Sequence, residues 1–176
     1  MSKQRFFYCP VCGGPLVYKF AYGMDRLCCT KCGRINYENP VVGVAAIILN
    51  EQGKILLVKR APDTTVPNKW CIPCGYVEYD EDVRDAVKRE ALEETGLVIE
   101  PLSVYAVHSN FHNPEQHTVG IWFTTKVVGG TTRAGDDAVD YIWSDLRSTP
   151  ELAFATDRVV LDQLLANSSN KMGKNI

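Results

Sequence analysis

The sequence predicts an α+β fold, in which helices pack on a mixed sheet, preceded by a small cysteine-rich domain. From residue 41 to 166, strand and helix patterns follow one another without regular alternation, which favours a mixed sheet over a doubly wound one. Residues 1–38 hold five of the seven cysteines, and Pro40 marks a boundary after them. We therefore predict domains at 1–38 and 39–166, followed by a flexible polar tail at 167–176.

The first half of the larger domain is predicted to consist of strands joined by turns. Val41–Leu49 and Lys54–Lys59 are mostly apolar and flank a turn that ends at Gly53. Residues 61–69 contain two prolines and are predicted to form a loop. Residues 70–77 are expected to form a short strand and a turn.

One helix is bounded by clear start and stop residues. Asp82 is a predicted N-cap, because its carboxylate can accept a hydrogen bond from a free helical N–H group. The helix should reach Thr95, since Gly96 can adopt the left-handed conformation that ends helices. Val98–Val107 and Thr118–Val128 follow as β-rich segments.

The last predicted elements are a short strand and a second helix. The strand covers Tyr141–Trp143. Thr156 is a predicted cap for a helix over residues 157–166, whose apolar side chains recur at helical spacing. These side chains are Val160, Leu161, Leu164 and Leu165.

Charge is unevenly distributed along the chain. The net charge is −2, but residues 1–38 hold six basic and two acidic side chains, which is +4 and leaves −6 for the remainder. A basic segment on an acidic body can attract nucleic acid or a phosphorylated ligand. Alternatively, the two parts attract each other.

No segment suggests a membrane or secretory protein. No apolar run reaches the roughly 18 residues that a membrane span needs. The basic residues near the start precede no hydrophobic stretch of the signal-peptide kind. We expect a soluble cytoplasmic protein.

Two Cys-x-x-Cys turns indicate a structural zinc site. They consist of Cys9 with Cys12 and Cys29 with Cys32, and a glycine follows each turn. Two such turns supply the four thiolates of a tetrahedral zinc shell, which leaves no open position for water. The alternatives are iron–sulfur ligation or unrelated thiols, and Cys28 is treated as a spare cysteine.

A third Cys-x-x-Cys turn joins Cys71 to Cys74. Redox chemistry is one interpretation of this spacing. Pro73 lies between the thiols and no helix begins at Cys71 to lower its pKa. A turn that leads into Gly75 explains the segment better.

The acidic end of the first helix is the strongest indication of function. Glu90, Glu93 and Glu94 fall on one arc of about 100°, together with Ala86 and Val87 earlier in the helix. Two carboxylates about 5 Å apart repel by roughly 3 kcal/mol at an effective dielectric constant of about 20. Carboxylates on a partly buried face therefore need protons or a cation, and their oxygens suit Mg²⁺ or Mn²⁺.

These residues resemble the signature of the Nudix hydrolases, Gly-x5-Glu-x7-Arg-Glu-U-x-Glu-Glu-x-Gly-U with U aliphatic. The match begins at Gly75, includes Glu81 and ends with the block 89–97, and we call this segment the Nudix box. The first U is Ala91, smaller than usual. The resemblance covers about residues 41–166 and implies an α/β/α sandwich around a mixed sheet. It also implies an enzyme that hydrolyses pyrophosphate linkages.

The resemblance also implies roles for the box residues. Glu90, Glu93 and Glu94 would bind Mg²⁺ or Mn²⁺, with Glu93 and Glu94 taking part in catalysis. Arg89 would orient these glutamates, and Glu81 would support the site.

Further metal ligands are implied outside the glutamates. Cys74 replaces a family glycine whose carbonyl often binds metal, so it would be a ligand through its main chain. A later acidic residue often completes the site. Asp136, Asp137 and Asp140 are candidates, and Asp137 is the one we select.

The substrate is predicted only by class. A zinc ribbon before a Nudix domain is similar to NADH pyrophosphatases and to plant enzymes acting on FAD and ADP-ribose. The Ser-Gln-Pro-Trp-Pro block of the NADH group is missing from residues 108–117, which favours ADP-ribose or FAD with release of AMP. Phe111, Trp122 and Arg60 are the predicted substrate contacts, and Phe154 is an alternative for stacking on adenine.

Two other functions compete with this one. A Nudix-like domain can bind a nucleotide without cutting it, but such domains usually lack a box glutamate. An RNA-end hydrolase that uses the basic zinc ribbon is the second alternative, so nucleic acid is not excluded as a partner. Related proteins are commonly dimers, so a homodimer is possible.

Overall fold

The computed structural model describes residues 4–172 and divides the chain into two compact units. The first unit ends at Asn39 and the second begins at Pro40, one residue from the predicted boundary. Neither of the helices described is long and apolar enough to cross a membrane.

The first unit is a three-stranded antiparallel sheet beside the cysteine turns. Its strands are β1 (Leu16–Ala21), β2 (Met24–Cys29) and β3 (Ile35–Asn36), in the order β1-β2-β3. The buried core is very small and consists of Cys9, Leu16, Leu27 and Cys29. So small a core cannot stabilise a domain of this length, so the cysteine side chains must contribute to its stability.

The described part of the second unit, residues 40–172, contains two small sheets and two helices. Its elements are β4 (Val41–Ile47), β5 (Ile55–Arg60), β6 (Trp70–Cys71), β7 (Cys74–Tyr76), α1 (Val83–Thr95), β8 (Leu97–Asn110), β9 (Thr118–Gly130), β10 (Ala138–Ser144) and α2 (Ala155–Met172). One sheet has the order β7-β4-β9-β8, with β4 parallel to β9 and the other pairs antiparallel. The other sheet, β10-β5-β6, is antiparallel.

Strand β4 separates two hydrophobic clusters, because successive side chains of a strand point to opposite faces. Val44 and Ala46 pack in a cluster with α1, whereas Ala45 and Ile47 pack in a cluster with α2. Each helix therefore covers a different face of β4. This confirms the predicted α+β fold with a mixed sheet between helices.

Helix α1 has the predicted ends. Asp82 accepts a hydrogen bond from the Arg84 backbone N–H at 2.8 Å. Gly96 has a φ of +69° and its N–H donates to the Leu92 carbonyl at 2.9 Å. A Cβ on Gly96 would also lie 2.6 Å from the carbonyl oxygen of Thr131, so both conformation and space require glycine.

Helix α2 is longer than predicted at both ends. It begins at Ala155, so Thr156 lies in its first turn rather than at its cap. It continues to Met172, so the described part of the predicted tail is helical, and residues 173–176 lie outside the described residues. No glycine or proline occurs from residue 151 to 172 to end the helix earlier.

Candidate functional site

Arg89 holds the acidic site together with all five of its N–H donors. Nε and Nη2 bind the two carboxylate oxygens of Glu81, each at 2.9 Å. Nη1 donates to Glu90 at 2.7 Å and to Glu93 at 3.0 Å. Nη2 also donates to the Tyr76 carbonyl at 3.0 Å. A guanidinium group has five N–H donors in a fixed plane, so its position fixes all of these partners.

The box glutamates occupy different electrostatic environments. The hydrogen bonds from Arg89 lower the pKa of Glu81 below its ordinary value. Burial raises the pKa of Glu90, and burial raises that of Glu94 much further. The side chain of Glu93 is 44% exposed. The predicted arc is therefore buried at Glu90 and Glu94 but not at Glu93.

Glu94 is tied to the turn before α1. It is 1% exposed and accepts a hydrogen bond from the Cys74 backbone N–H at 2.8 Å. The predicted contribution of Cys74 was its carbonyl, whereas the hydrogen bond in the structure uses its N–H group. This hydrogen bond fixes the Glu94 carboxylate against the main chain of Cys74.

Gly75 leaves room for the Glu90 carboxylate. A Cβ at this position would lie 2.1 Å from the carboxyl carbon of Glu90. The backbone of Gly75 has no positive φ, so close approach, and not conformation, requires glycine here. Sequence spacing alone does not show this contact.

A cavity of about 430 Å³ connects the acidic site to aromatic and basic side chains. Glu90, Asp136 and Asp137 line it, and Arg60 and Phe154 line it as well. This volume lies within the roughly 300–1,000 Å³ of pockets that hold ligands of drug or nucleotide size. Carboxylates and a stacking platform therefore share one cavity.

The basic and aromatic part of the cavity is a stacked group. The Arg60 guanidinium lies over the Phe154 ring at 5.3 Å, and the His112 ring lies 5.2 Å from Phe154. Arg60 Nη2 is 3.8 Å from Asp137. Arg60 Nε is buried and has no hydrogen-bond partner within the described part of the chain. An aromatic ring and an unpaired N–H donor therefore lie close together at the cavity wall.

Two of the three predicted substrate contacts lie elsewhere or are less accessible than expected. Phe111 is exposed, packs on His117 at 4.9 Å and is not among the residues that line the cavity. Trp122 lines the cavity but is only 5% exposed, so no free ring face remains for stacking. Arg60 lines the cavity, and the alternative ring, Phe154, lines it as well.

Asp157 is a buried acid that the sequence reasoning missed. It is 1% exposed and accepts hydrogen bonds from Trp122 Nε1 and from the Ile72 backbone N–H, both at 3.1 Å. Burial raises its pKa to about 7. Asp157 stands three and four residues before Val160 and Leu161, on the apolar face of α2. The phase reasoning that identified Glu90 would also have identified Asp157.

The donor set at the box suits a hard divalent cation. Glu90, Glu93 and Glu94 offer carboxylate oxygens, which Mg²⁺ and Mn²⁺ prefer, and Gly75 leaves space for one of them. Within residues 4–172, however, only the four cysteines bring three or more ligand atoms within 4.8 Å of one another. The side chains of Glu90 and Glu93 instead share Arg89 Nη1.

The four cysteines of the first unit form a compact cluster. Cys9 Sγ is 3.8 Å from Cys32 Sγ, and Cys12 Sγ is 3.5 Å from Cys29 Sγ. The pKa of the Cys29 thiol is lowered to about 6, and the hydrogen bond from the Cys32 backbone N–H is the largest cause. A Cβ on Gly14 would lie 2.9 Å from Cys29 Sγ. Such a cluster fits one tetrahedral zinc ion.

A family model described as the NUDIX domain matches residues 39–164. The chain is a Nudix hydrolase. This result confirms the resemblance on which the prediction rested. It also assigns the box, from Gly75 to Leu97, to the domain that the family model covers.

Two curated relatives of this Nudix hydrolase differ in their named substrates. The chain is 40% identical over 131 residues to an ADP-ribose pyrophosphatase of Methanocaldococcus jannaschii, covering 73% of this chain and 75% of that protein. It is 30% identical over 156 residues to the NAD-capped RNA hydrolase NudC of Chromobacterium violaceum, covering 85% of this chain. The match spans only 55% of that NudC protein.

Solved structures agree with the fold of the Nudix hydrolase. A NUDIX hydrolase from Nitrosomonas europaea has a TM-score of 0.76 and 29% identity, covering 89% of this chain and 88% of its own. An ADP-ribose pyrophosphatase from Streptococcus suis has a TM-score of 0.58 and 26% identity, covering 73% of this chain and 92% of its own.

Proposed function

We propose that this Nudix hydrolase cleaves the pyrophosphate linkage of ADP-ribose and releases AMP and ribose 5-phosphate. The observation that carries the proposal is that Glu90, Asp137, Arg60 and Phe154 line one and the same cavity. A ligand with a pyrophosphate at the acidic end and a base at Phe154 matches these groups in chemistry. The 40% identity to a protein named ADP-ribose pyrophosphatase supports the same substrate.

The proposal includes Mg²⁺ or Mn²⁺ held by Glu90, Glu93 and Glu94, with Asp137 and the main chain of Cys74 as further ligands. Such an ion would offset the charge of the pyrophosphate and favour the ionisation of water. Carboxylate oxygens are the ligands that this cofactor prefers, and the absence of a side chain at Gly75 leaves room for the carboxylate of Glu90. The four cysteines would hold a structural zinc ion.

The protein's own side chains supply binding and positioning. Arg89 fixes Glu90 and Glu93 through one nitrogen, Nη1, and is itself held by Glu81. Arg60 offers its unpartnered Nε to a phosphate oxygen, and Phe154 offers a ring for adenine. In this proposal, the ionised carboxylate of Glu94 accepts the proton of the attacking water.

A substitution at Glu94 tests the catalytic part of the proposal. Glu94→Gln keeps an acceptor oxygen for the Cys74 N–H group but removes the base, so kcat should fall by at least about 100-fold. Glu100→Gln is a matched control, since Glu100 is exposed on β8. AMP release by folded, purified protein is the measurement. Turnover of Glu94→Gln within a few-fold of wild type would contradict the assignment.

A substrate panel tests the specificity. ADP-ribose, FAD, NADH and diadenosine polyphosphates should be compared with Mg²⁺ and with Mn²⁺, again by AMP release. We expect the highest kcat/KM with ADP-ribose. A higher kcat/KM with FAD would support the proposed reaction but contradict ADP-ribose as the substrate. Binding of these compounds without turnover of any of them would indicate a nucleotide sensor.

A second candidate function is hydrolysis of a pyrophosphate at the 5′ end of a capped RNA. The NudC relative aligns with 85% of the chain, and the first 38 residues carry a charge of +4. An NAD-capped RNA oligomer added to the same panel decides between the two. A kcat/KM for this oligomer above that for ADP-ribose would favour the second function.

A further inference from the structure

Asp157 joins three parts of the second unit through its two carboxylate oxygens. It lies in α2, and its Oδ1 accepts a hydrogen bond from Trp122 Nε1 of β9 at 3.1 Å. Its Oδ2 accepts a hydrogen bond from the Ile72 backbone N–H, also at 3.1 Å. Ile72 lies in the link between β6 and β7, residues 71–74, which we call the 71–74 turn. One side chain therefore holds both a strand and this turn against the helix.

The two N–H donors explain why this position is an acid. Val160 and Leu161 of α2 pack in one apolar cluster with Ile72. A carboxyl group in such surroundings costs free energy, and burial accordingly raises the pKa of Asp157. Donors approach it from two sides, however, and a carboxylate is the short side chain that offers an acceptor oxygen to each of them. The cost of burial is therefore best explained by what the two oxygens hold in place.

The 71–74 turn connects this helix contact to the acidic site. The Pro73 carbonyl accepts a hydrogen bond from the backbone of β4 at 2.8 Å, and the Cys74 N–H donates to Glu94 Oε2 at 2.8 Å. Cys74 stands only two residues after Ile72, and the ring of Pro73 between them fixes its φ angle at about −65°. A displacement of Ile72 should therefore displace the donor of Cys74 as well.

Trp122 keeps the carboxylate of Asp157 in one orientation. A Cβ added to Gly120 would lie 2.7 Å from the Trp122 ring, so the ring lies directly against the backbone of β9. The His108 ring packs edge-on against it, with the ring centres 5.5 Å apart. The Nε1 donor of Trp122 thus has a fixed position. It binds Oδ1 and leaves Oδ2 directed at Ile72.

We propose that Asp157 is a positioning residue for Glu94. By holding Ile72, it fixes the Cys74 N–H group that orients the Glu94 carboxylate. Helix α2 lies outside the Nudix box and covers the opposite face of β4 from α1, yet it contributes to catalysis through this turn. The inference rests on the proposed role of Glu94 as the base for the attacking water.

The first test compares the kinetics of Asp157→Asn and Asp162→Asn. Asparagine has nearly the shape of aspartate but offers one acceptor oxygen and one NH₂ group, so one of the two N–H donors would face another donor. The turn should shift, and kcat for AMP release should fall by roughly tenfold or more, since a misplacement of about 1 Å can cost about 100-fold. KM should stay nearly unchanged, because no substrate contact is lost. Asp162 is exposed on α2, so Asp162→Asn should keep wild-type kinetics.

A double substitution tests whether the hydrogen bonds cause the effect. Trp122→Phe removes the donor on one side of the carboxyl group. In the Asp157→Asn background, the introduced amide can then turn its oxygen to the Ile72 N–H without opposing a second donor. The double variant should therefore have a higher kcat than Asp157→Asn alone. Loss of packing at two positions would instead lower kcat further.

A second measurement does not depend on any substrate. Hydrogen exchange of single backbone amides is followed by NMR in the full chain without nucleotide. Asp157→Asn should speed exchange at Ile72 and Cys74, because their hydrogen bonds are weakened, and leave the amide of Leu164 in α2 unchanged. If the wild-type chain did not hydrolyse ADP-ribose, the proposed function would fail, and this exchange would still decide whether Asp157 positions the turn.

Three results would overturn the inference. Wild-type kcat together with wild-type exchange at Cys74 in Asp157→Asn would show that the acid does not position the turn. A rise in KM at unchanged kcat would show that Asp157, which lines the cavity, contacts the substrate instead. An equal loss of kcat in Asp162→Asn would assign the effect to α2 as a whole. If Asp157→Asn does not fold, Trp122→Phe alone should lower kcat and speed exchange at Cys74, and unchanged values would contradict the inference.

Discussion

The contact between Gly75 and Glu90 leads to a quantitative prediction for Gly75→Ala. The added Cβ would lie 2.1 Å from the Glu90 carboxyl carbon, whereas ordinary contacts begin at 3.4 Å. The carboxylate must therefore move by the difference, about 1.3 Å, and away from its position 2.7 Å from Arg89 Nη1. A misplacement of about 1 Å in an active site can reduce the rate about 100-fold. We expect kcat for ADP-ribose to fall by about that factor.

The assay compares kcat and KM for wild type, Gly75→Ala and Gly129→Ala. Gly129 is the matched control, because it lies in β9, has no positive φ, and its added Cβ would approach Val98 no closer than 3.8 Å. Gly129→Ala should keep wild-type activity. If folded Gly75→Ala kept kcat within about threefold of wild type, the close approach would not position Glu90.

A double substitution separates a folding defect from a catalytic one. Glu90→Asp shortens the side chain and removes most of the overlap with an added Cβ at position 75. In the Gly75→Ala background it should restore thermal stability but not activity, because the shorter carboxylate cannot occupy the original position. Full activity of the Gly75→Ala, Glu90→Asp double variant would show that catalysis does not require the original position of the Glu90 carboxylate.

Three further predictions concern zinc, pH and substrate binding. The purified chain should contain one zinc ion. A strong chelator should increase hydrogen exchange in residues 4–39 while the second unit stays protected. Equal loss of protection in both units would show that zinc does not stabilise the first unit separately. Asp157 has a pKa of about 7 when folded, against an ordinary value of 3.8. The folded state then binds more protons between these values, so the free energy of unfolding should fall by about 4 kcal/mol as pH rises from about 4 to 7. Asp157→Asn should flatten this dependence in urea titrations, and an unchanged slope would mean that another group is responsible. Phe154→Leu should raise KM for ADP-ribose about tenfold with kcat nearly unchanged, since base stacking is worth roughly 1–3 kcal/mol. Phe111→Leu is the control. An equal rise in KM for Phe111→Leu would contradict the assignment of base stacking to Phe154.

Local signals in the sequence were sufficient to predict helix α1. Asp82 and Gly96 define its ends by hydrogen bonds and backbone conformation within a few residues, and such short-range interactions are visible in sequence. The sheet order was not predicted, because the parallel pairing of β4 with β9 joins segments more than 70 residues apart. Helix α2 was underestimated since its polar last turns carry no apolar periodicity.

The site was predictable where helical phase determines position. Glu90 and Glu94 are buried on the arc that includes Ala86 and Val87, as their spacing indicated. The cavity wall was less predictable, because Phe154 lies in an irregular segment before α2 whose path depends on tertiary packing. Phe111 is not among the residues that line the cavity, and its position likewise depends on packing that the sequence does not show.

Arg89 also determines which parts of the site can move separately. A single planar group is bonded at once to the loop before α1, to the strand at Tyr76 and to the last turns of the helix. These three segments should therefore behave as one rigid body, and a disturbance at Glu81 should be transmitted to Glu93. Lysine cannot take over this task, because it lacks a planar fork of five donors. Natural variation in the 78–82 loop is thus expected to be constrained by catalysis, although the loop's outer residues are exposed to solvent.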